Sequence, residues 1–280
     1  MTKILVLGGT RFIGKAVLNK LKGVDLFYFH RGINNLSSSN TIISTEIIGN
    51  RNNEADIKML YSQGFDVVID ISGESFEFVQ KSIKYAKSKV DRYVFISSSS
   101  VYDNDLESDK AHVEQEDISE SNKEQYTIDK IKSERLIQES FDNYAIIRPS
   151  KVYGHDNHIY REQFYYDRIV ANESIFLFKD PILHFTYVED LAEAIINISL
   201  STHNGIFNIA GKEPAHLSDF IRIIGVVAKQ SPIIIYADRS DAPFTNLHTC
   251  ILDCEKSKKL CNWEPKYSLL DGLSKTFYGE

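Results

Sequence analysis

The chain opens with a strand-like apolar run that ends in two glycines and leads directly into a helical pattern. Ile4 to Leu7 are apolar, Gly8 and Gly9 follow, and Gly14 stands six positions after Gly8. Strand, glycine turn and helix in this order predict a parallel α/β fold with a phosphate-binding turn, because a helix N-terminus presents free N–H groups and partial positive charge. Gly8 permits the tight turn, and Gly14 permits close packing of the helix on the strand.

The same alternation of strands and helices continues through the first 150 residues. Near-continuous Val/Ile strands are separated by amphipathic helices, which predicts a Rossmann-type, doubly wound parallel sheet covered on both faces. The strands include DVVIDI, RYVFISS and YAIIRPS, and the helices include FEFVQKSIKYAKS and YTIDKIKSERLIQESF. Past Ser150 the elements become shorter, which predicts a smaller C-terminal substrate-binding lobe. We expect the Rossmann domain to span 1–150 and roughly 183–210, and the lobe to span 151–182 and 211–280.

Composition excludes several classes of protein. A net charge of −7 argues against a general nucleic-acid binder, which is usually basic. No apolar run approaches the roughly 18 residues of a membrane span, and the first apolar stretch is too short for a signal peptide. Cys250, Cys254 and Cys261 form an odd set with no CxxC pair. We interpret them as reduced thiols of a cytoplasmic protein and expect no metal site.

The second strand ends in FYFHRG, where the residue type selects between dinucleotides. A preference for NAD favours Asp or Glu there, because a carboxylate accepts hydrogen bonds from the ribose 2′-hydroxyl and repels a 2′-phosphate. This chain has His30 and Arg31 at that point, and Arg11 in the middle of the glycine turn. Guanidinium groups bind phosphate through paired hydrogen bonds, so we expect NADP to be favoured over NAD. The alternative is that both arginines are solvated surface residues.

Residues at the glycine turn and at the end of the second strand are expected to contact the dinucleotide. They are Gly8, Thr10, Arg11, Phe12, Ile13, Gly14, His30 and Arg31.

A second pattern carries acid–base chemistry. QYTIDK places Tyr126 and Lys130 four residues apart on a predicted helix, hence on one face. A tyrosine is a poor base, with a reference pKa near 10. A neighbouring ammonium stabilises the phenolate, and we expect Lys130 to lower the pKa of Tyr126. Upstream, a predicted strand ends in a run of hydroxyls, Ser97 to Ser100, one of which is expected to bind the oxygen of a reacting group.

These segments resemble the extended short-chain dehydrogenase/reductase family, of the NAD-dependent epimerase/dehydratase type that acts on nucleotide sugars. The resemblance covers nearly the whole chain and rests on GGTRFIG, DVVIDISG, ISSSSVY, YTIDK, IIRPSKVYG, HFTYVEDLAEAI, FNIAGKEP and CNWEPKYSLLDGL, in family order. GGTRFIG together with REQFYYDRIV resembles a subgroup that also contains chloroplast stem-loop RNA-binding proteins. Members of that subgroup can lose the tyrosine–lysine pair, which this chain keeps.

The resemblance implies roles for particular residues. Tyr126 is expected to be the catalytic acid/base, Lys130 to lower its pKa and hold the nicotinamide ribose, and Ser98 to orient the reacting oxygen. Asn50 stands where the family usually places an aspartate near adenine. The other residues implied to line the cofactor are Ile71, Ser72, Gly73 and Pro149.

The substrate side departs most from the family. Lys151 stands where many members have an asparagine that contacts the substrate. Ser99 and Ser100 replace the Asp-Glu pair of dehydratases, so a 4,6-dehydratase is excluded because its proton shuttle is missing. Ser99 becomes a candidate substrate contact. Arg161, in HDNHIYREQFYYDR, is a candidate ligand for a diphosphate or sugar, with a solvated helix face as the alternative.

His184 is a further candidate substrate contact, against the alternative of a structural histidine.

The leading hypothesis is an NAD(P)-dependent enzyme that acts on a hydroxyl or ketone of a sugar, nucleotide-linked, as an epimerase or a reductase. The alternative is a dinucleotide- or RNA-binding regulatory protein that keeps the fold and little chemistry. The expected partner is the small-molecule substrate, with nucleic acid and membrane disfavoured. A homodimer is possible, because relatives commonly dimerise through the helix that contains Tyr126 and the helix before it.

Overall fold

The computed structural model of the 280-residue chain describes residues 1–33, 44–102, 110–121, 123–240, 243 and 248–279. Its strands are β1 (Lys3–Leu7), β2 (Asp25–His30), β3 (Ser44–Ile48), β4 (Phe65–Asp70), β5 (Val90–Ile96), β6 (Tyr144–Pro149), β7 (Lys151–Tyr153), β8 (Ser174–Leu177), β9 (Ile182–Tyr187), β10 (Gly205–Ile209), β11 (Pro214–His216) and β12 (Ile233–Tyr236). Its α-helices are α1 (Phe12–Lys20), α2 (Glu54–Tyr61), α3 (Phe76–Ala86), α4 (Gln125–Ser140), α5 (Glu162–Val170), α6 (Val188–Leu200), α7 (Leu217–Ala228), α8 (Glu255–Cys261) and α9 (Leu269–Tyr278).

The central sheet is parallel throughout and has the order β10-β6-β5-β4-β1-β2-β3. From β1 the chain adds β2 and β3 on one side, and from β4 onward it builds on the other. The direction therefore reverses between β1 and β4, and a crevice opens at the carboxyl ends of the strands at such a switch point. Leu7 lies beside Phe29 and Asp70 in register, which places these strand ends together. The predicted doubly wound parallel sheet is confirmed.

Side chains of β1 alternate between two apolar layers, as strand geometry requires. Ile4 and Val6 pack in the layer that contains α1 and α6, whereas Leu5 and Leu7 pack in the layer that contains α2, α3 and α4. All four side chains are fully buried. None of the helices formed by the described residues is both long and apolar enough to cross a membrane.

The remaining elements build smaller sheets beyond the end of β6. One has the order β11-β9-β7 and the other pairs β12 with β8. β7 begins two residues after Pro149, the last residue of β6, so these elements start from the carboxyl edge of the central sheet. All of β9 except its first residue lies in the range 183–210 that the sequence assigns to the Rossmann domain, but β9 pairs with β7 and β11 and not with the central sheet. β10 from that range forms the edge strand of the central sheet.

Candidate active site

The glycine turn between β1 and α1 depends on contacts that leave no room for a side chain. Gly8 has a φ of +91°, and a Cβ there would lie 2.5 Å from the Cβ of Ser72. A Cβ on Gly14 would lie 2.0 Å from the carbonyl oxygen of Gly8. Arg11 has an extended backbone, with φ −140° and ψ 152°, that any residue adopts. The turn therefore requires glycine at positions 8 and 14 and accepts arginine at position 11.

The N-terminus of α1 is open to an anion. Arg11 is its N-cap residue but makes no capping hydrogen bond through its side chain, and the first turn contains no acidic residue. The first N–H groups of a helix lack partners within the helix and carry partial positive charge. The exposed side chain of Arg11 adds a full positive charge at the same end.

A cavity of about 430 Å³ lies at this turn, within the range typical of ligand sites. It is lined by Gly8, Thr10, Arg11, Phe12, Ile13, Phe29, His30, Arg31, Ile33, Gly49, Asn50, Arg51, Asn52, Ile71, Ser72, Glu74, Phe78 and His158. Most residues that the sequence predicts to contact a cofactor thus lie in its wall. Glu74 is the one carboxylate among the described residues that line it.

Five predicted cofactor residues lie outside this wall. Gly14 packs behind the turn, and Pro149 is buried at the end of β6 beside Ile209. Gly73, Tyr126 and Lys130 form a separate group next to the cavity, because the carbonyl oxygen of Gly73 accepts a hydrogen bond from Lys130.

His30 and Arg31 have different environments although they are neighbours. His30 is buried, stacks on Tyr28, and places its Nε2 2.6 Å from Oε1 of Glu46 on β3. Glu46 binds the Nε2 atom of His30 and does not line the cavity. Arg31 is exposed and lines the cavity. Arg31 is therefore the charged side chain that the end of β2 offers to a ligand.

Arg51 is a wall residue that the sequence analysis does not single out. Its guanidinium makes a bidentate ion pair with Asp70, with Nη1–Oδ1 2.6 Å and Nη2–Oδ2 2.8 Å, and donates to Oγ of Ser72. Tyr93 donates a further hydrogen bond to Asp70. Burial alone would lower the pKa of Arg51, but the ion pair with Asp70 outweighs it and raises the pKa. An aspartate inside the apolar run DVVIDI is the signal that a buried cation must lie nearby.

The helix α4 brings Tyr126 and Lys130 to the carboxyl edge of the sheet. Lys130 is buried, and its Nζ donates to the carbonyl oxygens of Gly73 at 2.9 Å and Ile96 at 2.7 Å. It lies 5.5 Å from the centre of the Tyr126 ring. Burial lowers the pKa of Lys130 to about 8. The two carbonyls, one three residues after β4 and the other at the last residue of β5, hold this ammonium in one position.

Tyr126 is 46% exposed, and its phenol lies close to Ser98, two residues after β5. The surrounding protein raises the pKa of the phenol, the neighbouring Ser98 hydroxyl and the charge of Arg161 lower it, and Glu74 raises it again. The net direction is upward. The expected lowering of this pKa by Lys130, whose Nζ lies 5.5 Å from the ring centre, stays a prediction. The structure does bring the predicted group Ser98, Tyr126 and Lys130 together.

Two predicted substrate contacts lie in the interior. Ser99 is 4% exposed, and its hydroxyl lies close enough to the thiol of Cys250 to lower the pKa of that thiol, which burial raises. His184 is 6% exposed, and its Nδ1 accepts from the backbone N–H of Leu252. Burial lowers the pKa of His184 to about 4, so the ring is neutral near pH 7. These positions favour structural roles, and for His184 this is the alternative that the sequence left open.

Arg161 adds positive charge near Tyr126, and Lys151 adds a second cation near Arg161. Lys151 begins β7, is partly buried, and has no hydrogen-bond or ion-pair partner among the residues that the structure describes. Burial lowers its pKa, the thiol of Cys250 raises it, and Arg161 lowers it further. Burial also lowers the pKa of Arg161, which Glu162 and Tyr126 oppose. Lys151 is thus near Arg161, and Arg161 is near the phenol of Tyr126, so the two cations suit an anionic ligand.

The described residues offer no metal site. No group of three or more His, Cys, Asp or Glu side chains among them is placed to hold a metal ion. Cys250, Cys254 and Cys261 are free and buried.

Residues 4–210 match the sequence profile of the NAD dependent epimerase/dehydratase family, and the chain belongs to that family. It is 27% identical over 303 residues to chloroplast stem-loop binding protein of 41 kDa b from Arabidopsis thaliana, an alignment that covers 98% of this chain and 78% of that protein. A shorter alignment of 97 residues is 33% identical to UDP-glucuronate 4-epimerase from Thermodesulfobacterium geofontis, and covers 33% of this chain and 28% of that protein. The predicted family is confirmed.

Solved structures of sugar-nucleotide epimerases share the fold. UDP-glucose 4-epimerase from Thermotoga maritima with UDP-glucose has a TM-score of 0.80 and 21% identity, over 98% of this chain and 96% of that chain. UDP-glucuronic acid 4-epimerase from Bacillus cereus, in complex with UDP-glucuronic acid and NAD, has the same TM-score and identity, over 98% and 97%.

Proposed function

We propose that this protein is an NAD(P)-dependent oxidoreductase or epimerase that acts on a hydroxyl or ketone of a sugar, in particular of a nucleotide sugar. The observation that carries the proposal is the convergence of Ser98, Tyr126 and Lys130 at the sheet edge beside the cavity. A phenol held between a hydroxyl and an ammonium can move a proton to or from a sugar oxygen.

The glycine turn in the cavity wall leaves space for a nicotinamide dinucleotide. Side chains at Gly8 and Gly14 would fill the space that the turn leaves, and the open N-terminus of α1 suits a diphosphate. The wall residues around the turn, at the ends of β2 and β4, would hold the dinucleotide. When bound, it would supply the acceptor and donor of hydride.

Each member of the catalytic group has a separate task in this proposal. Tyr126 removes the proton of the sugar hydroxyl during oxidation and returns it during reduction. Ser98 orients the same oxygen through its hydroxyl, next to the phenol. Lys130, fixed by the carbonyls of Gly73 and Ile96, supplies positive charge that favours the phenolate as proton transfer proceeds.

The experiment that tests this function is an exchange assay on a panel of sugar nucleotides. UDP-glucose and UDP-glucuronate are incubated with the protein and NADP or NAD, and the products are followed by NMR. Interconversion of epimers with no net use of cofactor indicates an epimerase, whereas stoichiometric consumption of NADPH with a keto-sugar indicates a reductase. Tight dinucleotide binding without exchange on any of these compounds would contradict an enzymatic role.

We favour NADP over NAD because Arg31 and Arg11 line the cavity and Glu46 does not. Replacing Arg31 with glutamate should weaken NADPH binding roughly 100-fold and leave NADH binding within about threefold, because only NADPH loses a phosphate–guanidinium pair and gains repulsion. Fluorescence titration measures both affinities. Lys22→Glu, the same charge change at an exposed site after α1, is the matched control. Equal losses for the two cofactors would contradict the selection by Arg31.

An anionic substrate is favoured by Lys151 and Arg161. Lys151→Met should weaken binding of UDP-glucuronate about tenfold, because it removes a partly buried ammonium that has no partner among the described residues and would hydrogen-bond the ligand anion. Lys151→Arg should retain most of the affinity, and exposed Lys89→Met serves as control. Isothermal titration calorimetry gives the dissociation constants. Unchanged affinity in Lys151→Met would remove this residue from the substrate site.

A dinucleotide- or RNA-binding regulatory protein is the second candidate, because the relative aligned over 98% of this chain is a stem-loop binding protein. The exchange assay separates the two candidates, and RNA stem-loop binding can be measured on the same preparation. We further propose a cytoplasmic protein, which the free cysteines support. A homodimer stays a prediction that sedimentation analysis can test.

A further inference from the structure

We propose that His158 is a ligand of the dinucleotide diphosphate, and that an ion-pair cluster between α1, α6 and the β7–α5 loop positions it. The β7–α5 loop is residues 154–161, between Tyr153 and Glu162. This inference rests on the proposed function, because the ligand is the dinucleotide of that function.

His158 occupies a special place in the cavity wall. Of the lining residues in the part of the chain that the structure describes, it is the one that lies beyond β6, and all others lie between Gly8 and Phe78. Its ring meets the ring of Phe12, the first residue of α1, edge to face with 6.4 Å between centroids. His158 therefore lines the cavity against the first residue of α1, beside the open N-terminus of that helix.

The ring of His158 is available to a ligand. It makes no hydrogen bond or ion pair with any residue within the described ranges, and it is exposed to solvent. Burial, Arg11 and Arg161 lower its pKa, whereas Glu74 raises it. A neutral imidazole donates one N–H hydrogen bond, which suits a diphosphate oxygen already bound by the amides of α1.

The loop that carries His158 is fixed at its base. Glu162, buried at the start of α5, accepts hydrogen bonds from the backbone N–H of Gly154 at 3.0 Å and from Nδ2 of Asn157 at 2.9 Å to each carboxylate oxygen. Asn157 in turn accepts from the backbone N–H of Ile159 through its side-chain oxygen. The residues on both sides of His158 are thus held by one buried carboxylate.

The loop is also bound to α1 and α6 by charge. Lys15 on α1 lies 2.8 Å from Asp156, and Lys20 on α1 lies 2.9 Å from Glu189 on α6. His155 lies between the two carboxylates, with Nε2 2.9 Å from Glu189 and Nδ1 3.3 Å from Asp156. These five side chains are the ion-pair cluster. It joins the helix that follows the glycine turn to the loop that carries His158, and so holds the two together.

The direct test compares ligands with and without a diphosphate. His158→Leu should weaken NADPH and ADP-ribose about tenfold, because each loses one hydrogen bond to a charged oxygen, and should leave 2′-AMP unchanged. His158→Asn retains an N–H donor and should recover part of the loss. Affinities are measured by fluorescence or calorimetry, with thermal unfolding as a check that the variants fold alike.

The positioning role has its own test. Asp156→Asn removes the ion pair with Lys15 and should weaken NADPH about threefold in the wild-type background, and not at all in the His158→Leu background. An additive loss in the double variant would overturn positioning through His158. Equal affinity of wild type and His158→Leu for ADP-ribose, or an equal loss for 2′-AMP, would overturn the ligand role. If the wild-type protein binds no dinucleotide, the proposed function itself fails, which is a different outcome.

Discussion

Replacing Tyr126 with phenylalanine should lower turnover about 1,000-fold or more on any sugar substrate that the wild-type protein converts. The hydroxyl is the proton-transfer group in the proposed chemistry, and losing such a group costs typically 10²- to 10⁴-fold. Dinucleotide affinity should stay within about twofold, because the phenol lies next to the cavity and not in its wall. Steady-state kinetics and a fluorescence titration measure the two effects separately.

Tyr236→Phe is the matched control for this variant. Tyr236 lies on β12, is 57% exposed, and donates a hydrogen bond to Asp180, so it loses the same hydroxyl at comparable exposure. Its turnover should equal that of the wild type. If Tyr126→Phe also remains fully active, the phenol is not the acid/base, and the role of Ser98 as its neighbour falls with it.

The second large effect concerns stability. Glu134→Gln should lower the free energy of unfolding by about 3–5 kcal/mol. Glu134 is fully buried on α4 and receives Nε of Arg148 at 3.0 Å, Nη2 of Arg148 at 2.6 Å and the hydroxyl of Ser97. The neutral amide leaves the buried guanidinium without a counter-ion. Urea unfolding measures the change.

Two companion variants identify the cause. Glu120→Gln removes an ion pair with Arg135 in which both side chains are partly exposed, and should cost at most about 1 kcal/mol. Glu134→Met combined with Arg148→Met removes both charges and should recover most of the lost stability, since the unpaired charge is the source of the cost. A double variant as unstable as Glu134→Gln would show that packing, and not charge, determines the effect.

The fold could be predicted from the sequence because its signals are local. The apolar strands, the amphipathic helices and the glycine turn each occupy a few consecutive residues, and parallel α/β topology follows from their alternation. The group Tyr126 and Lys130 was predictable for the same reason, since a spacing of four residues defines one helix face. No strand was predicted at β7, β11 or β12, because runs of three or four residues carry little periodicity.

Contacts between distant segments could not be predicted in this way. Arg51 and Asp70 follow or end different strands and meet only in the folded chain. His158 and Phe12 are separated in sequence by most of the central sheet. The orientation of a side chain was equally hidden. Ser99 and His184 have the right chemistry and the right neighbourhood in sequence, but tertiary packing buries both. The raised pKa of Tyr126 was hidden for the same reason, because it comes first from the protein that packs around the phenol.

The largest apolar cluster runs without interruption from β1 through α6 to α7 and α9. Ile4 and Val6 belong to it, and so do Phe220 and Leu273 near the end of the chain. The part that would choose the sugar is therefore not a detachable module. A chimera that takes this region from a relative must also carry apolar surfaces on α1 and α6 that pack against it. New specificities would therefore arise more readily by exchanging single side chains than by recombining segments.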